Sequence, residues 1–84
     1  MSYIRILGIR VADRTKEAET VQKLLTTYGC SVRTRLGLHV QNDLTDSSEG
    51  LIILELTGDT TEMDKLENAL ASTIGVDVSH MEFE

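Results

Sequence analysis

The run Leu51-Ile52-Ile53-Leu54-Glu55-Leu56 is apolar at both its odd and its even positions, so a strand formed from it is greasy on both faces. A sheet built around such a strand must lie against something dry on each side. A chain of 84 residues has room for two amphipathic helices, which cover one face. The other face calls for a partner, most economically a second copy of the chain.

Size sharpens that requirement. Eighty-four residues make one domain, spanning 1–84, and apolar burial in so small a core barely offsets its ordering entropy. One cysteine gives no disulfide framework, so regular packing or oligomerisation must supply the remainder. The same single cysteine, with an N-terminus that enters a strand pattern at once, points to a reducing, cytoplasmic setting without a leader. No segment reaches the apolar length of a membrane span.

A net charge of −6 disfavours direct nucleic-acid binding, which needs a basic face. The basic residues are uneven: seven of the eight lysines and arginines precede residue 36, and only Lys65 follows. That asymmetry suits complementarity between subunits, an anionic ligand near the first half, or simply solvated faces.

With no proline and six glycines, the chain reads as short turns between regular elements. Tyr3 to Val11 has strand composition. Asp13 then offers an N-cap, and Ala18, Val21, Leu24, Leu25 and Tyr28 recur at helical spacing, with Gly29 placed as a left-handed stop. Cys30 to Val40 alternates, with Cys30, Val32, Leu36, Leu38 and Val40 expected inward. Arg33, Arg35 and His39 are then expected on the face without helices. Residues 41–50 are a polar connection into the two-faced strand. Gly58-Asp59-Thr60-Thr61 reads as a turn and cap, with Thr61 and Asp64 in a capping-box relation. Met63, Leu66, Leu70 and Ile74 mark the second helix, and Gly75 closes it ahead of a strand from Val76 to Phe83.

The order βαββαβ predicts an α+β, ferredoxin-like sandwich. Two right-handed crossovers give a four-stranded antiparallel sheet of order 4-1-3-2 with both helices on one face. Strands 1 and 3 are then central, as their composition demands.

Chemistry-bearing motifs are sparse. Cys30, His39 and His80 are the only soft ligand types, and no close H-x-H or C-x-x-C pair joins them. Packing or surface roles suit them better, and neither a metal site nor a cofactor is expected. Asp43, Asp46 and Glu49 lie in the polar connection without the order of a calcium loop. No nucleophile–base pattern supports an enzyme. Gly8 to Arg14 carries the chain from a central strand into a helix N-terminus. Free backbone N–H groups there can hold an anion, and Asp13 as cap competes for them.

Four motifs in order resemble those of the iron-only hydrogenase system regulators. They are Gly8-Ile9-Arg10-Val11-Ala12-Asp13-Arg14, Leu24-Leu25 with Tyr28-Gly29, Arg35-Leu36-Gly37-Leu38, and Gly75-Val76-Asp77-Val78. Those short stand-alone proteins are similar to the ACT domain and to the C-terminal domain of the nickel-responsive repressor. The resemblance implies a ferredoxin-like fold, oligomerisation and a regulatory role. His39 stands where the family commonly has proline, and Leu66-Glu67-Asn68-Ala69 replaces a glycine-bearing helix segment. The repressor's closely spaced histidines and its DNA-binding arm have no counterpart here.

By analogy with ACT domains, a small effector is expected at a subunit interface, against the loop Val11, Ala12, Asp13 and Arg14 and against Arg35 and Gly37 of strand 2. The leading expectation is a homo-oligomeric (dimeric or tetrameric) regulatory module binding a small-molecule effector or a partner protein. Its alternatives are a metal-responsive sensor using His39, His80 or Cys30 across an interface, and a structural adaptor for a metalloenzyme system.

Overall fold

A computed structural model of the chain describes residues 3–12, 14–39 and 50–84. Its elements are β1 (Ile4–Val11), α1 (Arg14–Thr27), a 3-10 turn (Gly29–Ser31), β2 (Val32–His39), β3 (Gly50–Leu56), α2 (Thr60–Ala71) and β4 (Val76–Phe83). The strands form one antiparallel sheet of order β2-β3-β1-β4, the expected 4-1-3-2 read from its other edge.

Period-two alternation along β1 decides which side of the sheet is which. Leu7, Ile9 and Val11 are buried beneath the helices, while Ile4, Ile6, Gly8 and Arg10 point to the other side. In register with them, Leu54 and Leu56 of β3 and Val76 of β4 complete the sheet's half of the core. The helices supply Val21 and Leu25 from α1 and Met63, Leu66 and Leu70 from α2. Leu24 and Tyr28 pack at the margin, so the apolar stripe expected on α1 does face the sheet.

Helix ends differ from expectation. The N-cap of α2 is Asp59, whose carboxylate accepts from the Thr61 backbone N–H at 2.8 Å, and the anticipated Thr61–Asp64 capping box does not form. Asp64 is engaged elsewhere, as described below. Gly29 is not left-handed. The chain leaves α1 through the 3-10 turn, with Ser31 N–H donating to Tyr28 O and Thr57 N–H donating to Ser31 O. Ile74 lies past the end of α2 and is 91% exposed, because the helix stops at Ala71. Asp13 and the acidic loop residues Asp43, Asp46 and Glu49 lie outside the described residues.

The largest correction concerns β2. Val32 pairs with Leu56 and packs on the core, but the next partner of β3, Glu55, is Thr34. Arg33 is the extra residue of a β-bulge, and it reverses the phase of everything after it. Thr34 and Leu36 therefore fall on the uncovered face. Arg35 falls on the helix side, where its Nη1 donates to Gln22 Oε1 of α1 at 3.0 Å. Cys30, expected inward, sits exposed in the 3-10 turn.

One charged residue lies inside. Arg5, on the helix side of β1, is 8% exposed. Its Nη1 contacts Asp64 at 2.8 Å and Glu67 at 3.3 Å, both on α2, and its Nε donates to the Tyr3 hydroxyl at 2.8 Å. Tyr3 in turn donates to Glu82 of β4 at 2.5 Å, and His80 Nδ1 lies 2.6 Å from Glu67 Oε2. Burial pulls the Arg5 pKa down. Hydrogen bonds to Asp64 and Tyr3 outweigh that and hold the guanidinium above its usual range. The network ties β1, β4 and α2 together at one end of the sheet.

The hydrogen bond to Glu82, followed by desolvation, raises the Tyr3 pKa above that of a free tyrosine. A raised folded-state pKa means stability that is complete below the ordinary tyrosine pKa of about 10 and is lost as pH climbs through the folded value. Denaturant melts across this range are expected to show wild type losing more stability above about pH 10 than Tyr3→Phe does.

Candidate functional site

The loop singled out by sequence lies where β1 and β2 finish and β3 and β4 begin. Val11 ends β1 opposite Gly50 of β3 and Val76 of β4, and Gly50 is opposite His39 at the end of β2. Val11 itself is a core residue, 3% exposed, and anchors the loop rather than lining it. Ala12 is exposed, and its backbone N–H donates to Gly75 O at 2.8 Å, which ties the β1–α1 loop to the turn before β4. Arg14 is the first residue of α1.

Gly75 adopts φ +83°, a left-handed conformation in which a side chain is strained. It is also pressed against the carboxyl group of Glu17, in the first turn of α1. A Cβ built on Gly75 would lie 2.8 Å from Glu17 Cδ and closer still to Oε1. Beside this contact Glu17 Oε2 is buried with no hydrogen-bond partner among the described residues. A buried acceptor left unsatisfied is costly, so the base of this loop holds an open demand for a donor. Sequence reasoning missed Glu17, since an acid in a helix's first turn needs no explanation beyond the dipole.

Of the remaining expected contacts, Gly37 is opposite Ile52, with open space where its side chain would be. β3 intervenes between it and Val11, so within one chain the two are roughly 12 Å apart, from strand spacing and rise. Arg35 lies two rungs further along and is drawn to Gln22. The structure thus assembles Ala12, Glu17 and Gly75 into one cluster and holds Arg35 and Gly37 apart from it. Cys30, beside β2, and His80, on β4, are at opposite edges of the sheet. Among the described residues no group of three or more His, Cys, Asp and Glu side chains is placed to hold a metal ion.

The other distinctive surface is the helix-free face. Ile4, Leu36, Met81 and Phe83 are 38%, 52%, 56% and 53% exposed there, with Ile6, Leu51 and Ile53 half-buried between them. Its charged groups are paired. Arg10 Nη2 is 3.3 Å from Asp77 Oδ2 on the neighbouring strand, and the Thr34 hydroxyl donates to Glu55 Oε1 at 2.9 Å.

With this geometry in view, the fold can be set beside known ones. It is similar along its whole length to an uncharacterized protein, TM1266, from Thermotoga maritima. The two share 26% identity with a TM-score of 0.84, covering 99% of this chain and 100% of that one. It is also similar to the ACT domain of GTP pyrophosphokinase from Chlorobium tepidum, at 14% identity and a TM-score of 0.67, covering 96% and 89%. The fold is ACT-like. A third similar structure is CPII, a nitrogen regulatory PII-like protein from Thiomonas intermedia bound to ADP, AMP and bicarbonate. It is 13% identical with a TM-score of 0.62, covering 99% and 97%. No family model and no curated protein matches the chain. No helix among the described residues is long and apolar enough to cross a membrane.

Gly75→Ala places a methyl group into the Glu17 carboxyl and forces a left-handed alanine. It is expected to lower stability by about 1–3 kcal/mol in urea melts. Pairing it with Glu17→Ala removes the collision but not the backbone strain, so the double variant is expected to recover only part of the loss.

Proposed function

We propose that this chain is a non-catalytic, cytoplasmic, homo-oligomeric regulatory module, and that it binds a small polar effector at the end of the sheet formed by Ala12, Glu17 and Gly75. The observation that carries the effector site is the buried, unpartnered Glu17 Oε2 beside the β1–α1 loop. A ligand bearing an N–H donor, such as an ammonium, amide or amino-purine group, satisfies it once the Glu17 side chain turns to meet it. Asp13 and Arg14 flank the cluster in sequence, and Arg35 and Gly37 of a neighbouring subunit supply the outer wall. The ACT-like fold supports regulation, as does the likeness to a PII-like protein seen with adenine nucleotides and bicarbonate. A role in iron-only hydrogenase regulation rests on the ordered motifs from Gly8 to Val78 alone.

A module of this kind signals by binding one assembly state better than another, so the effector's differential affinity is the output. An adaptor docking onto a metalloenzyme needs no effector, which separates the two readings. A metal sensor would have to collect Cys30 and His80 from different subunits, because one chain holds them at opposite edges.

Thermal melts against a panel of amino acids, AMP, ADP and bicarbonate test the proposal. One member is expected to raise Tm by roughly 5–10 °C at tenfold excess over its Kd. Glu17→Gln, which turns one acceptor oxygen into a donor, is expected to abolish that rise while leaving the unliganded melt close to wild type. No response to any member overturns the small-effector reading in favour of the adaptor.

A further inference from the structure

Gly8 stands in the middle of the central strand β1, where a glycine weakens the strand and a β-branched residue would strengthen it. Nothing among the described residues requires it to be glycine. Its φ is not positive, and a Cβ built on it would meet only Ser79 O at 3.9 Å and Ile53 Cδ1 at 4.0 Å, which are ordinary contacts. The missing side chain leaves a hollow in the helix-free face, with depressions of about 230 Å³ and 190 Å³ on either side. They share Gly8 and Ser79; Leu51 and Arg10 border one, Ile6, Ile53 and Met81 the other. A strand glycine without a structural need marks close approach by something outside the chain.

We propose that this hollow is a socket for Ile53 of a second copy, in a dimer whose sheets stack face to face. The proposal rests on the self-association put forward above and specifies its surface. Gly8 is paired with Ile53 across the β1–β3 ladder, and the flanking rungs place Ser79 beside Gly8 and Leu36 beside Ile53. A two-fold axis running along the strands between β1 and β3 exchanges β1 with β3 and β4 with β2, rung for rung. It lays the second copy's Ile53 over Gly8 and the second copy's Leu36 over Ser79, large side chains onto small ones, twice by symmetry. Aligned sheets pack about 10 Å apart in this way, rotated by about 30°.

Charge and area agree with that occupant. Arg10 pairs with Asp77, and Glu55 accepts a hydrogen bond from the neutral Thr34 hydroxyl, so each of these groups keeps a polar contact when the face is covered. Four strands of about eight residues present about 500 Å² of sheet per copy, and the pair reaches the area of about 1,000 Å² that a specific interface needs.

Sedimentation of the full chain decides the matter. Wild type is expected at twice its 9.3 kDa mass at micromolar concentration. Gly8→Val, which fills the socket with a residue suited to a strand, is expected to weaken the dimer at least about tenfold with an unchanged far-UV spectrum. Should Gly8→Val fail to fold, Met81→Glu places a charge at an exposed position on the same face and is expected to give the same loss. A wild-type dimer that both variants leave equally tight overturns the socket while sparing self-association, which would then run through strand edges. A wild-type single-chain particle at every concentration overturns both, whatever else covers the face.

Discussion

The alternation along β1 is the constraint on which the other contacts depend. As the strand shared by two ladders, it sets the register of β3 on one side and β4 on the other. Arg5, Leu7, Ile9 and Val11 all point toward the helices, so α1 and α2 have a single side on which to bury their apolar stripes. Arg5 takes part in this ordering at the cost of burying a cation. That burial is tolerable because Asp64, Glu67 and Tyr3 converge on the guanidinium from two elements. Few other arrangements give a side chain so short of water that many partners, which makes the docking of α2 on β1 specific as well as favourable.

Once the helices have chosen a side, two surfaces are left with unmet demands of different kinds. At the end of the sheet the demand is polar, a buried carboxylate oxygen beside a tight glycine turn. On the helix-free face it is apolar, a field of Ile, Leu, Met and Phe around a hollow. In the function proposed above, a ligand answers the first and a copy of the chain answers the second. The two lie close enough to influence one another, since β1 runs from Gly8 in the hollow to Val11 at the loop in three residues. On that proposal, β1 is the strand through which effector and assembly would bear on one another.

Much of the fold was legible because its signals are local. β-branched runs, helical spacing and glycines at element ends marked most of the boundaries closely, and the apolar character of both faces of β3 identified a central strand. What escaped was information carried by pairing. Val32-Arg33-Thr34-Arg35 reads as unbroken alternation, and only the register against Glu55 and Leu56 reveals an extra residue. Arg5 looks like any strand cation until Asp64, far away in sequence, is folded onto it. Of the candidate site, the β1–α1 loop was visible as a strand-to-helix junction. Glu17 was not, because its significance arises from contact with Gly75 at the far end of the chain.

The bulge at Arg33 has a consequence for how such chains can diverge. One residue, neither more nor fewer, determines whether leucine or arginine meets the open side of the hairpin. Deleting Arg33 would remove the bulge and leave Leu36 opposite Ile53, whereas pairing Arg33 in line at the same chain length would turn a greasy wall into a cationic one. The character of that edge is therefore held by a choice of pairing and not by the length of the chain.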